Sequence, residues 1–199
     1  MKKQDNKSFE QIATAPAHRN IITNKEVAQK GQMKPIHAAL FTTGGTIDGA
    51  DSDLGTLRSE SDAAKWLSLQ PNVNVLSHCL FNKDSRDITD TDRAKMASAI
   101  RECSSDLVLV THGTFTIAQS ARAIKRALGE THRTVLFVGA WKPFGDPDSD
   151  APAQMEFALQ VLSAERRGVW IAMDGRLWDP DTTKKIEVEP GQFKLSELG

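Results

Sequence analysis

The chain has 199 residues, with 25 Lys and Arg against 26 Asp and Glu, so its formal charge is −1. That length suits one domain, and folding would bury about 70% of the surface of the unfolded chain without help from disulfides or metals. The even charge argues against a general binder of phosphate backbones, two cysteines cannot make a disulfide framework, and the complete lack of tyrosine excludes any mechanism that draws a phenol from this chain.

Residues 1–34 are polar and show no apolar stripe, which reads as a flexible N-terminal tail. Lysines near the start are followed by no apolar core, so no secretory signal is expected. No apolar run is long enough to span a bilayer. These features predict a cytoplasmic protein with no membrane or nucleic-acid partner.

From residue 35 to 199 the pattern is that of one α/β domain. Ile36 to Thr43, Val73 to Cys79, Asp106 to Thr111, Thr134 to Ala140 and Gly168 to Met173 read as strands. Val73 to Cys79 is β-rich and partly alternating, and the continuous Val, Leu and Ile runs of the others predict burial on both faces. Helix signals fall between them. Ser59-x-x-Asp62 and Thr89-x-x-Asp92 have the form of capping boxes, with Asp for the usual Glu. Ala94, Met96, Ala97 and Ile100 make one helical stripe. Ile117, Ala121, Ile124 and Leu128 make a second, with Arg and Lys outward. Phe157, Leu159, Val161 and Leu162 belong to a third helix that starts near Pro152. The alternation predicts a mostly parallel sheet with helices on both faces.

Ligands of such sheets sit beyond the carboxyl ends of the strands. That directs attention to TTGGT, FNKDSRD, THGTFT and GAWKPFGDPDSDA. In TTGGTIDG (Thr42 to Gly49) two glycines let the backbone approach a ligand closely, although a tight turn is an equal reading. The segment is neither G-x-G-x-x-G nor a phosphate loop ending in G-K-[ST], so a nucleotide site has weak support. In THGTFT, His112 invites a triad, but no G-x-S-x-G elbow accompanies it. The plainer reading is a histidine bonded to the backbone of its own turn. Ser85 and Asp87 could read a polar ligand, or belong to a turn leading to the cap at Thr89. Asp146, Asp148 and Asp150 alternate as in calcium loops, but lack the glycine and the closing glutamate. A solvated loop is the simpler reading. His78 and Cys79 would point to opposite faces of a strand, and no zinc spacing occurs. No metal or cofactor is expected.

Together, TTGGTIDG and THGTFT resemble the two signature segments of the L-asparaginase family, the threonine amidohydrolases. KDSRDIT, GAWKPFGDPDSDA and GVWIAMDGRLWD extend the likeness from about Ile36 to Phe193. The resemblance implies a flavodoxin-like domain of the asparaginase N-terminal type. It implies Thr46 as nucleophile, Thr114 as second catalytic threonine and Lys185 as catalytic lysine, with Lys184 the adjacent candidate. Ser85 matches a residue that binds a substrate carboxylate. Gly45, Arg86, Gly113, Phe115 and Ala140 fall at substrate-binding positions, and backbone amides near Thr114 and Ala140 suit an oxyanion hole. A homo-oligomer and a small amide or dicarboxylate-like ligand are further implications.

The sequence departs from the family pattern at several points. Phe115 replaces an aspartate that orients the lysine and binds the substrate ammonium, and phenylalanine is expected to do neither. Arg86 stands where a neutral glutamine helps hold the amine, and needs Asp84 or Asp87 to neutralise it. The loop between Asp48 and Ser61 offers Thr56 and Ser59 where relatives carry a catalytic tyrosine. The second domain of full-length relatives is expected to be missing. Two readings follow: an amidohydrolase of reduced or altered activity on a small asparagine-like amide, or a catalytically silent binding module on the same fold. A Rossmann-like nucleotide domain ranks below both, because it lacks a suitable acidic ribose contact.

Overall fold

A computed structural model describes residues 34–49, 61–189 and 191–198. The N-terminal segment to residue 33, Thr56 and Ser59 lie outside these residues.

Among the described residues, eight strands and four α-helices follow one another along the chain. They are β1 (Ile36–Thr42), α1 (Asp62–Ser68), β2 (Val73–Cys79), α2 (Asp90–Glu102), β3 (Leu107–Thr111), α3 (Ile117–Leu128), β4 (Thr134–Val138), α4 (Ala151–Ser163), β5 (Gly168–Met173), β6 (Arg176–Trp178), β7 (Thr183–Glu189) and β8 (Gln192–Glu197). The main sheet runs β2-β1-β3-β4-β5-β6. Its first five strands are parallel, and β6 turns back antiparallel to β5. The first five strands therefore have the flavodoxin-like order.

Helices cover both faces because the strands present apolar side chains to both. Ala39, Phe41, Val108, Val110 and Phe137 point to one side, where Met96, Ile100, Ile117 and Ile124 of α2 and α3 meet them. Leu40, Leu109, Leu136 and Val138 point to the other, against Ala63 and Leu67 of α1 and Met155 and Leu162 of α4. The central strands need apolar residues at every position, which explains their unbroken runs. β2, the partly alternating segment, differs from them. It is an edge strand, and Leu76 is 65% exposed.

Helix starts follow the capping chemistry, with one correction. Thr89 and Asp92 make the expected reciprocal box at α2. At α1, however, Asp62 is the first helical residue, so it cannot be the third residue of a box begun at Ser59. The cap is Ser61, whose Oγ accepts the Ala64 N–H at 3.1 Å. The predicted strand ends also contract: β1 stops at Thr42, β3 begins at Leu107 and β4 ends at Val138, where the parallel pairing with neighbours stops.

Three strands are not legible in the apolar pattern. β6 follows β5 through Asp174-Gly175, both at positive φ, the conformation an Asp-Gly hairpin turn favours. β7 and β8 form a separate antiparallel ribbon, yet Leu195 of β8 is buried in the same core as Met173 and Trp178. The outward Arg and Lys of α3 tie this ribbon down. Arg122 donates to the carbonyls of Pro180 (2.8 Å) and Thr183 (3.1 Å), and Lys125 pairs with Asp179 (2.6 Å) and Asp181 (2.9 Å). Among the described residues no helix is long and apolar enough to cross a membrane.

Candidate active site

The connection from β1 leads to β2 on one side, and the next returns from β2 past β1 to β3 on the other. The carboxyl ends of β1 and β3 therefore flank a topological switch point, where open α/β sheets place their ligands. The TTGGT and THGT turns lie there.

Gly44 and Gly45 follow β1 at φ +99° and +83°, a region that a side chain disfavours. Space demands glycine as well. A Cβ on Gly45 would lie 2.5 Å from the Gly113 Cα, and one on Gly44 would lie 2.4 Å from the Lys83 carbonyl oxygen. A Cβ on Gly113 would in turn meet Ser85 Oγ at 2.7 Å. Three strand-end turns are thus in backbone contact around Gly45, Gly113 and Ser85. Thr46 and Thr114 each follow one of the crossing glycines, and both are half-buried.

Hydrogen bonds lock this crossing. Thr43 Oγ1 donates to the Thr111 carbonyl at 2.7 Å, and Thr116 Oγ1 donates to the Ser85 carbonyl at 2.5 Å. Lys83 reaches the α2 capping box, pairing with Asp92 at 2.8 Å. That contact and the Thr89 bonds hold the Asp92 carboxyl well below the usual range, the Lys83 bond contributing most.

Asp48, which the sequence reading does not single out, is the hub beneath Thr46. Its side chain is buried, and it accepts from Gly44 N–H (2.9 Å), Thr111 Oγ1 (2.7 Å) and Ser61 Oγ (2.5 Å). Desolvation raises its pKa to about 6, against the opposing pull of those hydrogen bonds. The available signal is the acid two residues after Thr46 in TTGGTID.

His112 fits the plainer reading of its motif. The ring is fully buried, its Nδ1 lies 2.8 Å from the Gly113 carbonyl, and Nε2 has no partner. That geometry makes Nδ1 the protonated nitrogen, since a carbonyl can only accept. Burial lowers the pKa to about 4, so the imidazole is neutral at ordinary pH. In a trans peptide the N–H opposes the carbonyl. Anchoring the Gly113 carbonyl on His112 therefore turns the Thr114 N–H away from that ring.

Lys185 comes to the crossing from β7. Its Nζ donates to Thr114 Oγ1 at 3.0 Å, which distinguishes it from the exposed Lys184. No carboxylate pairs with it among the described residues. Instead its ammonium lies 3.4 Å from the Phe115 ring centroid, 4.2 Å from Phe193 and 5.4 Å from Trp141. Burial first, and the Arg86 charge second, lower its pKa to about 8. Phe115 thus corrects the expectation that it cannot hold the lysine: the negative face of a ring attracts a cation. Phe193 and Trp141, not singled out in the sequence, complete this aromatic enclosure.

Arg86 is neutralised by Asp84 rather than Asp87. Its Nε and Nη2 bond the two carboxylate oxygens at 3.0 and 2.7 Å, and its guanidinium stacks 4.8 Å from the Phe115 centroid. Ala140 is buried in the core on the α1 and α4 side. The following amides of Trp141 and Lys142 are taken by Asp150, at 3.0 and 2.8 Å. Asp148 pairs with Lys142. Asp150 and Asp148 therefore organise the loop rather than converge on one point.

The family model that matches the chain, over residues 37–192, is described as asparaginase, N-terminal. Among curated proteins, L-asparaginase of Thermococcus kodakarensis is 26% identical over 136 residues, spanning 65% of this chain and 42% of its own. L-asparaginase 2 of Bacillus subtilis is 26% identical over 194 residues, spanning 89% of this chain and 51% of its own. The solved structure of the thermostable Thermococcus kodakarensis L-asparaginase superposes with a TM-score of 0.67 at 22% identity, covering 80% of this chain and 51% of that one. At that identity the likeness is one of fold. The chain spans about half of the length of these relatives, or less.

Proposed function

Since the chain belongs to the asparaginase family through its N-terminal domain, we propose that it is a threonine amidohydrolase acting on a small carboxamide. Thr46 is the nucleophile, and Thr114 with Lys185 forms the proton relay. The observation that carries this reading is the 3.0 Å contact between Lys185 Nζ and Thr114 Oγ1, made across 71 residues of sequence.

A threonine hydroxyl attacks an amide poorly until its proton has somewhere to go. A lysine serves as acceptor only in its neutral form, and its lowered pKa of about 8 makes that form accessible near neutrality. Thr46 Oγ1 attacks the amide carbon and yields its proton to the relay. The leaving nitrogen takes a proton and departs as ammonia, leaving an ester on Thr46. Water then attacks the ester, releasing the carboxylic acid and restoring the hydroxyl. The Thr114 N–H, turned away from His112, is the donor proposed for the developing oxyanion. Ser85, at the junction of the three turns, is the proposed contact for a substrate carboxylate. A catalytically silent module has no comparable support in the site.

Ammonia release from asparagine, glutamine and their deaminated analogues tests the assignment. Wild-type protein should release ammonia, and Thr46→Ala should lower the rate by roughly 10⁴-fold. Equal rates for the two proteins would remove Thr46 from the mechanism.

A further inference from the structure

The charges around Lys185 restrict what can occupy the space beside Thr114. Two cations face it, Lys185 and Arg86, and both touch the ring of Phe115. Among the described residues, the carboxylates nearest Lys185 are already engaged, while Asp87, exposed on the turn of Arg86, acts on Arg86. Asp84 gives both oxygens to Arg86. Asp48 is buried beneath three donors. Asp150 accepts from backbone amides, and Asp174 accepts from Trp141 Nε1 and from Gln154 Nε2, both at 3.0 Å. The three ring faces that could attract a ligand cation are turned to Lys185.

Resting on the amidohydrolase reading above, we infer that the site selects carboxamides that carry a carboxylate but no α-ammonium group, succinamate being the simplest, over α-amino acid amides such as asparagine. An ammonium placed here meets the Lys185 charge directly, while Asp84 is committed to Arg86 and Asp87 acts on Arg86 rather than on Lys185. A carboxylate placed here meets Lys185 and the outer edge of a guanidinium that spends only Nε and Nη2 on Asp84. Guanidinium has five N–H donors in all, so donors remain for a ligand. The methylene carbons of succinamate suit the outer part of the Phe115 ring, which is 47% exposed. The chemistry is unchanged: the amide carbon is attacked, ammonia leaves, and succinate is the product.

Two measurements on the full chain separate this inference from the reading beneath it. The first is ammonia release from succinamate and from asparagine, near the Lys185 pKa of about 8. The second is calorimetric binding of the two products, succinate and aspartate, which requires no turnover. Succinamate should be hydrolysed with at least about tenfold higher kcat/KM, and succinate should bind at least about tenfold more tightly than aspartate. Faster hydrolysis of asparagine would overturn the selectivity while leaving the amidohydrolase intact. Tighter binding of succinate without hydrolysis of either amide would do the reverse. Aspartate binding as tightly as succinate, or neither acid binding, would overturn the inference outright. Phe115→Asp should invert the binding order. Arg86→Gln, on an exposed turn, should narrow it and serves if the first variant fails to fold.

Discussion

Thr46 and Thr114 occupy touching turns, yet their surroundings are opposite in kind. Beneath Thr46 the chemistry is closed and polar: Asp48 is buried and saturated by three donors from its own turn, from β3 and from the start of α1. Around Thr114 it is half-open, cationic and aromatic, with Phe115 47% exposed and Lys185 delivered by a distant ribbon. The first region is fixed by backbone contact and tolerates little change of shape. The second is assembled from side chains and can change chemistry without disturbing the fold. Substitutions under Thr46 should therefore register in stability, and substitutions around Thr114 in rate and pH profile.

The largest effect should come from Lys185→Met, which keeps the aliphatic stem among the rings and removes the proposed proton acceptor. Ammonia release should fall by about 10²–10⁴-fold, with the melting temperature little changed. A large loss of stability would erase the contrast between the two regions.

Phe115→Asp should have the next largest effect. On the proposed relay the active form is neutral Lys185, so the rate should rise with pH and level off above about 8. A carboxylate beside the ammonium favours its charged form and should move that limb upward by about 1–3 pH units. The same variant should raise asparagine turnover at pH values above the new limb, since it supplies both a partner for the lysine and an anion for the substrate ammonium. Steady-state rates across the pH range check both. A limb that stays in place would mean that Lys185 is not the group being titrated.

The smallest effect belongs to Asp48→Asn, read in stability against pH. Asp48 has its folded pKa raised from 3.8 to about 6. Its contribution is therefore most favourable below about 4 and is lost as pH rises through 6, a change of about 3 kcal/mol. His112 runs the other way. Its folded pKa is lowered from 6.5 to about 4, so it contributes fully above 6.5 and loses that contribution as pH falls towards 4. In the wild type the two opposing slopes largely cancel between about pH 4 and 6. In Asp48→Asn only the His112 slope remains, and urea melts should show stability rising with pH across that window. A wild-type curve as steep as that of the variant would contradict the balance.

Much of the fold is legible in the sequence because it rests on local rules. Unbroken apolar runs mark the central parallel strands, Thr89-x-x-Asp92 marks the start of α2, and paired glycines mark the turns at the strand ends. β6 is signalled only by Asp174-Gly175. The ribbon β7–β8 carries mixed polar and apolar residues that give no clear period, because only Leu195 of β8 reaches the core. Arg122 and Lys125 have the pattern of a solvated helix face, and they bind the approach to β7 instead.

The site divides along the same line. Residue type and spacing are enough to define the two threonine turns and the lack of a tyrosine, whereas Phe115 stands out only against the family resemblance. Folding in three dimensions was needed to show that Gly45 abuts Gly113, that Asp48 is the buried hub, and that Lys185 rather than Lys184 meets Thr114. It also turned Phe115 from a missing anion into a wall of an aromatic enclosure with Phe193 and Trp141. Desolvation and ring–cation contact depend on which distant residues share a volume, and a linear spacing does not encode that.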